Sequence, residues 1–481
     1  MKQFKILGVA LAAAMVVACG GSDDTVVQAP PIAFTSMVSF GDSLSDVGTY
    51  KVGVVASLGG GIYTVGGIAG AVGATPVPSK NWTELIAAKL GLPTPCPAQT
   101  GLNSAAALGG PVAIVNFPAC RNYAQGGARV TDPVGPGSAS APVNSPLGQL
   151  TVPVVTQISN HLARVSSFSG TELVTVMAGA NDVFRLTDQL KANATAAGQA
   201  AGAAAGAQTF ASTLTGLLAA GATTPATAAA AIGLALQTEA ARPGHTDQTV
   251  VAAAVGAAAV QPGNAAVGNP AVYGPMVANA QAAATTAGNT AGAAAGTAYA
   301  KNNGAAEAVF PMAEAAKQLA GYIKTQVLGK GAKYVMVVNL PDASLTPSAT
   351  SESADTQGLI LNMVIYFNES LAFELKDTPG VRIADSFNEF RSFVAKPAAY
   401  GLTNVTVPAC NLNATANGVV GNGLADPAKP NSGTSLVCNT TNVIAGDVSH
   451  YLFADTVHPT PYGYKLVADM VTRNLTQAGW L

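Results

Sequence analysis

Four short apolar runs, with helical patterns between and after them, constrain the fold of this chain more than any other feature. Residues 34–40, 173–177, 334–340 and 381–385 are rich in β-branched and apolar side chains and have the length of buried strands. Residues 150–162, 305–327, 359–375 and 464–475 carry apolar positions at helical spacing. Residues 81–90 do the same, with Trp82, Leu85, Ile86 and Leu90 at helical spacing and Gly91 as the stop. A strand that is apolar on both sides must be covered on both sides. The alternation therefore predicts an α/β protein with a central parallel sheet, a three-layer α/β/α sandwich. Residues 47–78, rich in glycine and valine, read as a surface loop with a short strand at 62–65, and residues 112–117 as a further extended segment.

Composition adds one more part. An apolar fraction of 49% over 481 residues is ample for a core, but charged residues make up only 10%, against about 25% in an ordinary soluble protein. The deficit is concentrated in residues 192–300, an Ala/Gly/Thr-rich insertion whose acidic and basic residues are Glu239, Arg242 and Asp247. Alanine favours helix while each interior glycine costs about 1 kcal/mol, so marginal helices broken by loops are expected there, with no repeat period of a solenoid. The insertion is either a lid or adhesion element or a tolerated surface excursion. A net charge of −2 without a basic block argues against a nucleic-acid partner.

Lys2 and Lys5 precede an apolar run over residues 6–18, too short to cross a bilayer and of signal-peptide length, so residues 1–18 are set aside from the fold. Val16-Val17-Ala18-Cys19-Gly20 resembles a bacterial lipobox. By that resemblance Cys19 is lipidated, residues 19–33 are anchor and linker, and Gly20 implies an outer-membrane address; cleavage after Ala18 without lipidation would leave a periplasmic or secreted protein. Cys96, Cys120, Cys410 and Cys438 remain, an even number in a chain expected to be exported. Of three possible pairings, Cys96–Cys120 and Cys410–Cys438 close the shorter loops. Neither pair has metal-site spacing.

The first strand breaks at Gly41-Asp42-Ser43, within Ser39-Phe40-Gly41-Asp42-Ser43-Leu44-Ser45-Asp46. A serine there is either a cap for the next helix or a nucleophile lifted clear of the sheet beside free backbone N–H groups. In parallel sheets ligands collect at the carboxyl ends of strands, where Ser43, Gly127 and Asn181 all fall. A hydroxyl nucleophile needs a base, and the histidines are His161, His245, His450 and His458. His161 lies in an apolar helix and His245 in the insertion. His450 reads as a plain surface residue, and His458 has a carboxylate, Asp455, three residues earlier that can turn back and hold its ring.

Gly41-Asp42-Ser43-Leu44, Gly127 in Asn-Tyr-Ala-Gln-Gly-Gly-Ala, Asn181 in Gly-Ala-Asn-Asp, and Asp455 with His458 resemble, in order, the blocks of the SGNH or GDSL esterase/lipase family. Asn339-Leu340-Pro341-Asp342 is similar to that family's segment after its fourth strand, and the insertion has no counterpart. The resemblance implies an SGNH, flavodoxin-like fold and a carboxylic-ester hydrolase working through an acyl-serine. Ser43 is then the nucleophile, His458 the base and Asp455 its orienting group. The oxyanion hole is implied to be the Ser43 N–H, the Gly127 N–H and the Asn181 side-chain amide, with Gly126 the neighbouring alternative to Gly127. It also implies an ester or lipid substrate and no metal or organic cofactor. Two alternatives share the sequence: an acyltransferase with the same site, and a surface interaction protein whose site is vestigial.

Overall fold

The computed structural model describes residues 32–66, 79–414 and 421–481. The expected signal peptide, Cys19 and nearly all of the linker 19–33 lie outside the described residues. Strands are β1 (Ser36–Gly41), β2 (Gln99–Leu102), β3 (Val112–Asn116), β4 (Glu172–Met177), β5 (Tyr334–Val338) and β6 (Val381–Ala384). Helices are α1 (Gly53–Ser57), α2 (Trp82–Lys89), α3 (Val154–Val165), α4 (Ala180–Ala219), α5 (Pro225–Ala240), α6 (Asp247–Ala259), α7 (Pro270–Gly304), α8 (Phe310–Tyr322), α9 (Pro347–Thr350), α10 (Ala354–Leu375), α11 (Ser386–Ala395) and α12 (Pro461–Gln477).

β1, β4, β5 and β6 pair in that order as a parallel four-stranded sheet, and β2 and β3 form a separate antiparallel pair. Side chains alternate across a strand, and both sets here are apolar. Val38, Phe40, Val174, Val176, Val335 and Val337 pack with Ile158 of α3, Met312 of α8 and Phe367 of α10. Leu173, Met177, Met336 and Val338 pack on the other side with Trp82 and Ile86 of α2 and Tyr464 and Val471 of α12. The three-layer α/β/α arrangement follows directly. Helix α2 starts where Asn81 caps it, its carboxamide accepting from Thr83 and Glu84 N–H while Glu84 reaches back to the Asn81 N–H. Disulfides join Cys96 to Cys120 and Cys410 to Cys438, the pairing expected from loop length.

Two stretches differ from expectation. No strand forms at 62–65; Tyr63, Thr64 and Val65 are buried, as are Thr49, Tyr50 and Val55, while the other residues of 51–59 are exposed or half-buried, so the supposed surface loop is anchored in the interior at both ends of its described part. Tyr63 is held by its hydroxyl and carbonyl rather than by a strand ladder: Gln149 donates to the hydroxyl at 2.6 Å and the Tyr464 O–H to the carbonyl at 3.2 Å.

The insertion differs more. Instead of marginal helices it builds an arm from α4, 40 residues long, and the antiparallel α7, 35 residues long. Gly198, Gly202 and Gly206 of α4 face Gly292, Gly288 and Ala284 of α7. A Cβ on Gly198 would lie 2.7 Å from the Gly292 carbonyl oxygen, and one on Gly202 2.8 Å from that of Gly288. Glycine every fourth residue places a groove along one face of each helix, and the backbones close into it. This period of four is a packing code that a search for repeats of 20–50 residues does not see. At the far end α5 and α6 fold over the arm, and Leu214, Leu218, Ile232, Leu236 and Val255 form a separate small core.

Candidate active site

β1 ends at Gly41, and the chain turns because Asp42 captures the turn's own N–H groups. Its carboxylate accepts from Leu44 N–H at 3.0 Å, and its carbonyl accepts from Ser45 N–H at 3.0 Å. Gln157 of α3 clamps the strand end, accepting from Gly41 N–H at 2.9 Å and donating to Gly41 C=O at 2.8 Å. Ser43 stands on this turn with its N–H donating to no group among the described residues.

Residues 121–126 run beside β1, with Ser39 N–H donating to Arg121 C=O, Tyr123 N–H to Ser39 C=O and Gln125 N–H to Gly41 C=O. Buried Asp46 then joins the two segments. Its carboxylate accepts from Gly48 and Thr49 N–H at 2.8 Å each and from Gly126 N–H at 3.0 Å. Burial pushes its pKa up and these donors oppose the rise. The Gly126 N–H is thus already committed. The Gly127 N–H donates to no group among the described residues, which separates the two glycines that the sequence left as alternatives. Gly127 has φ +79°, and a Cβ there would sit 2.2 Å from the Pro136 carbonyl oxygen, so neither the turn nor the space admits a side chain.

Asn181 lies in the first turn of α4, directly beyond the end of β4. Its Nδ2 donates to Ala128 C=O at 2.9 Å, with its second amide hydrogen donating to no group among the described residues, while Asp182 accepts from Arg129 Nε at 2.8 Å and Val130 N–H at 3.0 Å. These contacts tie the glycine loop to the start of α4, whose N-terminal dipole favours negative charge nearby.

His458 and Asp455 come from a tight turn in which Asp455 Oδ1 accepts from Val457 N–H at 2.9 Å and His458 N–H at 2.7 Å. Asp455 Oδ2 lies 2.7 Å from His458 Nδ1 and also accepts from Ser435 N–H at 2.8 Å. His458 Nε2 lies 2.8 Å from Ser43 Oγ, across 415 residues of chain. A proton on Nδ1, where it faces the carboxylate, leaves Nε2 to accept from the serine hydroxyl. Burial works to raise the Asp455 carboxyl, but the His458 ring and the N–H donors hold it well below the usual carboxylate range. It therefore stays ionised.

The other histidines are placed elsewhere. His161 is buried against Tyr123 and Phe168, where burial lowers its pKa to about 4. His245 is exposed in the insertion, and His450 stacks on Tyr462 and bonds Gly401 C=O. Asn339 and Asp342 brace the loop after β5 rather than the nucleophile: Asn339 Oδ1 accepts from Ser386 N–H at 2.7 Å, and Asp342 pairs with Arg391 at 2.8 Å.

Sequence reasoning missed Asp46, Gln157, Ser435 and Tyr63. Tyr63 lies against the His458 imidazole with ring centroids 4.7 Å apart. A lone tyrosine among the glycines of 59–67 was the available signal for it; Gln157 and Ser435 carried none, because their partners Gly41 and Asp455 are 116 and 20 residues away.

The family model for GDSL-like Lipase/Acylhydrolase matches residues 37–286, a span that contains Ser43, Gly127 and Asn181 and ends before Asp455 and His458. No curated protein matches the chain. With that match over more than half of its length, on a fold and strand-end serine that suit it, the chain belongs to the GDSL-like lipase/acylhydrolase family of ester hydrolases.

Proposed function

We propose that the protein is a serine carboxylic-ester hydrolase using Ser43, His458 and Asp455. The observation that carries this is the unbroken hydrogen-bonded line from Asp455 Oδ2 through His458 Nδ1 and Nε2 to Ser43 Oγ, at 2.7 and 2.8 Å. His458 Nε2 takes the hydroxyl proton as Ser43 Oγ bonds to the ester carbonyl carbon. The carbonyl oxygen, now an oxyanion, accepts from Ser43 N–H, Gly127 N–H and the second Asn181 amide hydrogen. Collapse breaks the bond to the alcohol oxygen, which leaves with the proton from His458. Water then attacks the acyl-serine with His458 again as base, the acid departs, and Ser43 recovers its proton. Asp455 remains ionised throughout and stabilises the imidazolium. Three donors left unused beside a hydrogen-bonded nucleophile support a working site rather than a vestigial one.

Replacing Ser43 tests the reading. Ser43→Ala should lower kcat on p-nitrophenyl esters by roughly 10⁴- to 10⁶-fold, and a fluorophosphonate should add its mass to the peptide carrying Ser43. Turnover surviving in Ser43→Ala, or the label on another residue, would overturn it.

A further inference from the structure

Ser43, Asn181 and His458 share the wall of one cavity with Phe184, Phe390 and Phe393. Its volume is about 70 Å³. An engineered apolar cavity of about 150 Å³ takes a six-carbon ring, so this space takes an acyl tail of about three carbons. Its carboxylate-bearing wall residue is Glu389, and that charge is paired with Arg473 at 2.5 Å. The lining thus offers an acyl chain apolar surface and no cation to hold an acidic one.

Phe390 and Phe393 are anchored by their own neighbours, with Phe390 edge-on to Phe453 at 5.9 Å and Phe393 edge-on to Tyr400 at 4.8 Å. Phe184 is different. It lies three residues after Asn181, on the same face of α4, is half-buried, and joins none of the packed hydrophobic clusters. An aromatic side chain beside the oxyanion donor that packs against no core is explained if its apolar face meets substrate.

We propose that this cavity is the acyl pocket, that Phe184 sets its depth, and that the enzyme prefers short, uncharged acyl chains of about two to four carbons. The proposal rests on the serine-hydrolase reading above. A linear tail longer than the pocket must displace Phe184 or Phe390 or leave its methylenes in water, and a single misfitting methylene changes kcat/KM by about 10- to 200-fold.

The test is kcat/KM on p-nitrophenyl esters from acetate to palmitate and on a monosuccinate ester, with wild type, Phe184→Ala and Phe184→Trp, each titrated with fluorophosphonate for active Ser43. Wild type should peak between acetate and butyrate, fall at least about tenfold by octanoate, and disfavour succinate. Phe184→Ala should move the optimum to hexanoate or octanoate and Phe184→Trp should narrow it to acetate, with thermal midpoints near wild type because Phe184 supports no core. A Ser43-dependent profile that is flat or peaks at long chains overturns the pocket while leaving the hydrolase reading intact. An unchanged profile in both Phe184 variants overturns the role of Phe184. Absence of Ser43-dependent turnover on every ester overturns the hydrolase reading and the pocket with it.

Discussion

Around Ser43, four buried acidic side chains do different work because their partners differ. Asp46 and Asp455 each collect three backbone N–H groups, so their charge is solvated by the protein itself. Asp182 has Arg129. Asp42 has only the Leu44 N–H on one oxygen, and its Oδ2 has no partner among the described residues. Burial accordingly lifts its pKa to about 7, with Asp182 adding to the rise and Leu44 N–H and His458 opposing it. Since the folded value lies above the unfolded one, ionisation favours the unfolded chain. Below about pH 4 both states are protonated and nothing is lost. Stability falls as pH rises from there to about 7, beyond which the loss is complete. Asp42→Asn keeps the acceptor for Leu44 and cannot ionise. Urea unfolding at pH 8 should find it more stable than wild type by on the order of 4 kcal/mol, and the difference should close as the pH is lowered to 4. A difference that does not change with pH would show that Asp42 is not the group responsible.

Among the elements, α4 joins two functions in one rod. Its first two turns supply Asn181 and Phe184 to the cavity, and its later turns form half of the arm. At the base, Glu307 accepts from Asn193 at 2.8 Å and from the Tyr299 hydroxyl at 2.5 Å, fastening α4 to the returning chain. Further out the glycines decide the packing, and they give a test in which helix propensity and close approach have opposite signs. Gly→Ala in a helix interior normally stabilises by about 0.5–1 kcal/mol. Gly216, with open space around its missing Cβ, should behave that way. Gly292→Ala would set a methyl 2.9 Å from the Gly198 carbonyl oxygen, which is backbone and cannot turn aside. It should therefore destabilise by about 1–3 kcal/mol. Thermal unfolding of the two single variants separates the effects, and a stabilising Gly292→Ala would show that the helices are not held at that distance.

At the scale of the whole molecule, the sandwich and the arm with its head have separate cores, and the described cavity at Ser43 takes only Ala180, Asn181 and Phe184 from α4. At about 1.5 Å per residue α4 is about 60 Å long, so the head lies far from its first turn. Excising residues 208–282 and joining Ala207 to Ala283 through a short linker, where the paired helices are already adjacent, should leave kcat/KM on short esters within about twofold of wild type. A larger loss in a variant that unfolds as cooperatively as wild type would give the head a part in turnover.

Much of this was legible in the chain before any coordinates. Strand length, apolar alternation and helix stops are local, because burial on a strand or helix follows the period of its own residues, and they implied the three layers. Two of the four histidines, His450 and His458, stand three residues after an aspartate, and it was the resemblance to the family's C-terminal block that picked out His458 with Asp455. The tertiary structure alone decided which of Gly126 and Gly127 keeps a free N–H, since a free donor is what remains after distant Asp46 has taken its share. It alone buried Tyr63 against His458, because no local pattern encodes a contact between residues nearly 400 apart. It also turned the Ala/Gly insertion from weak helices into an arm, because a glycine's cost in an isolated helix is local while its gain appears only when a second backbone closes on it.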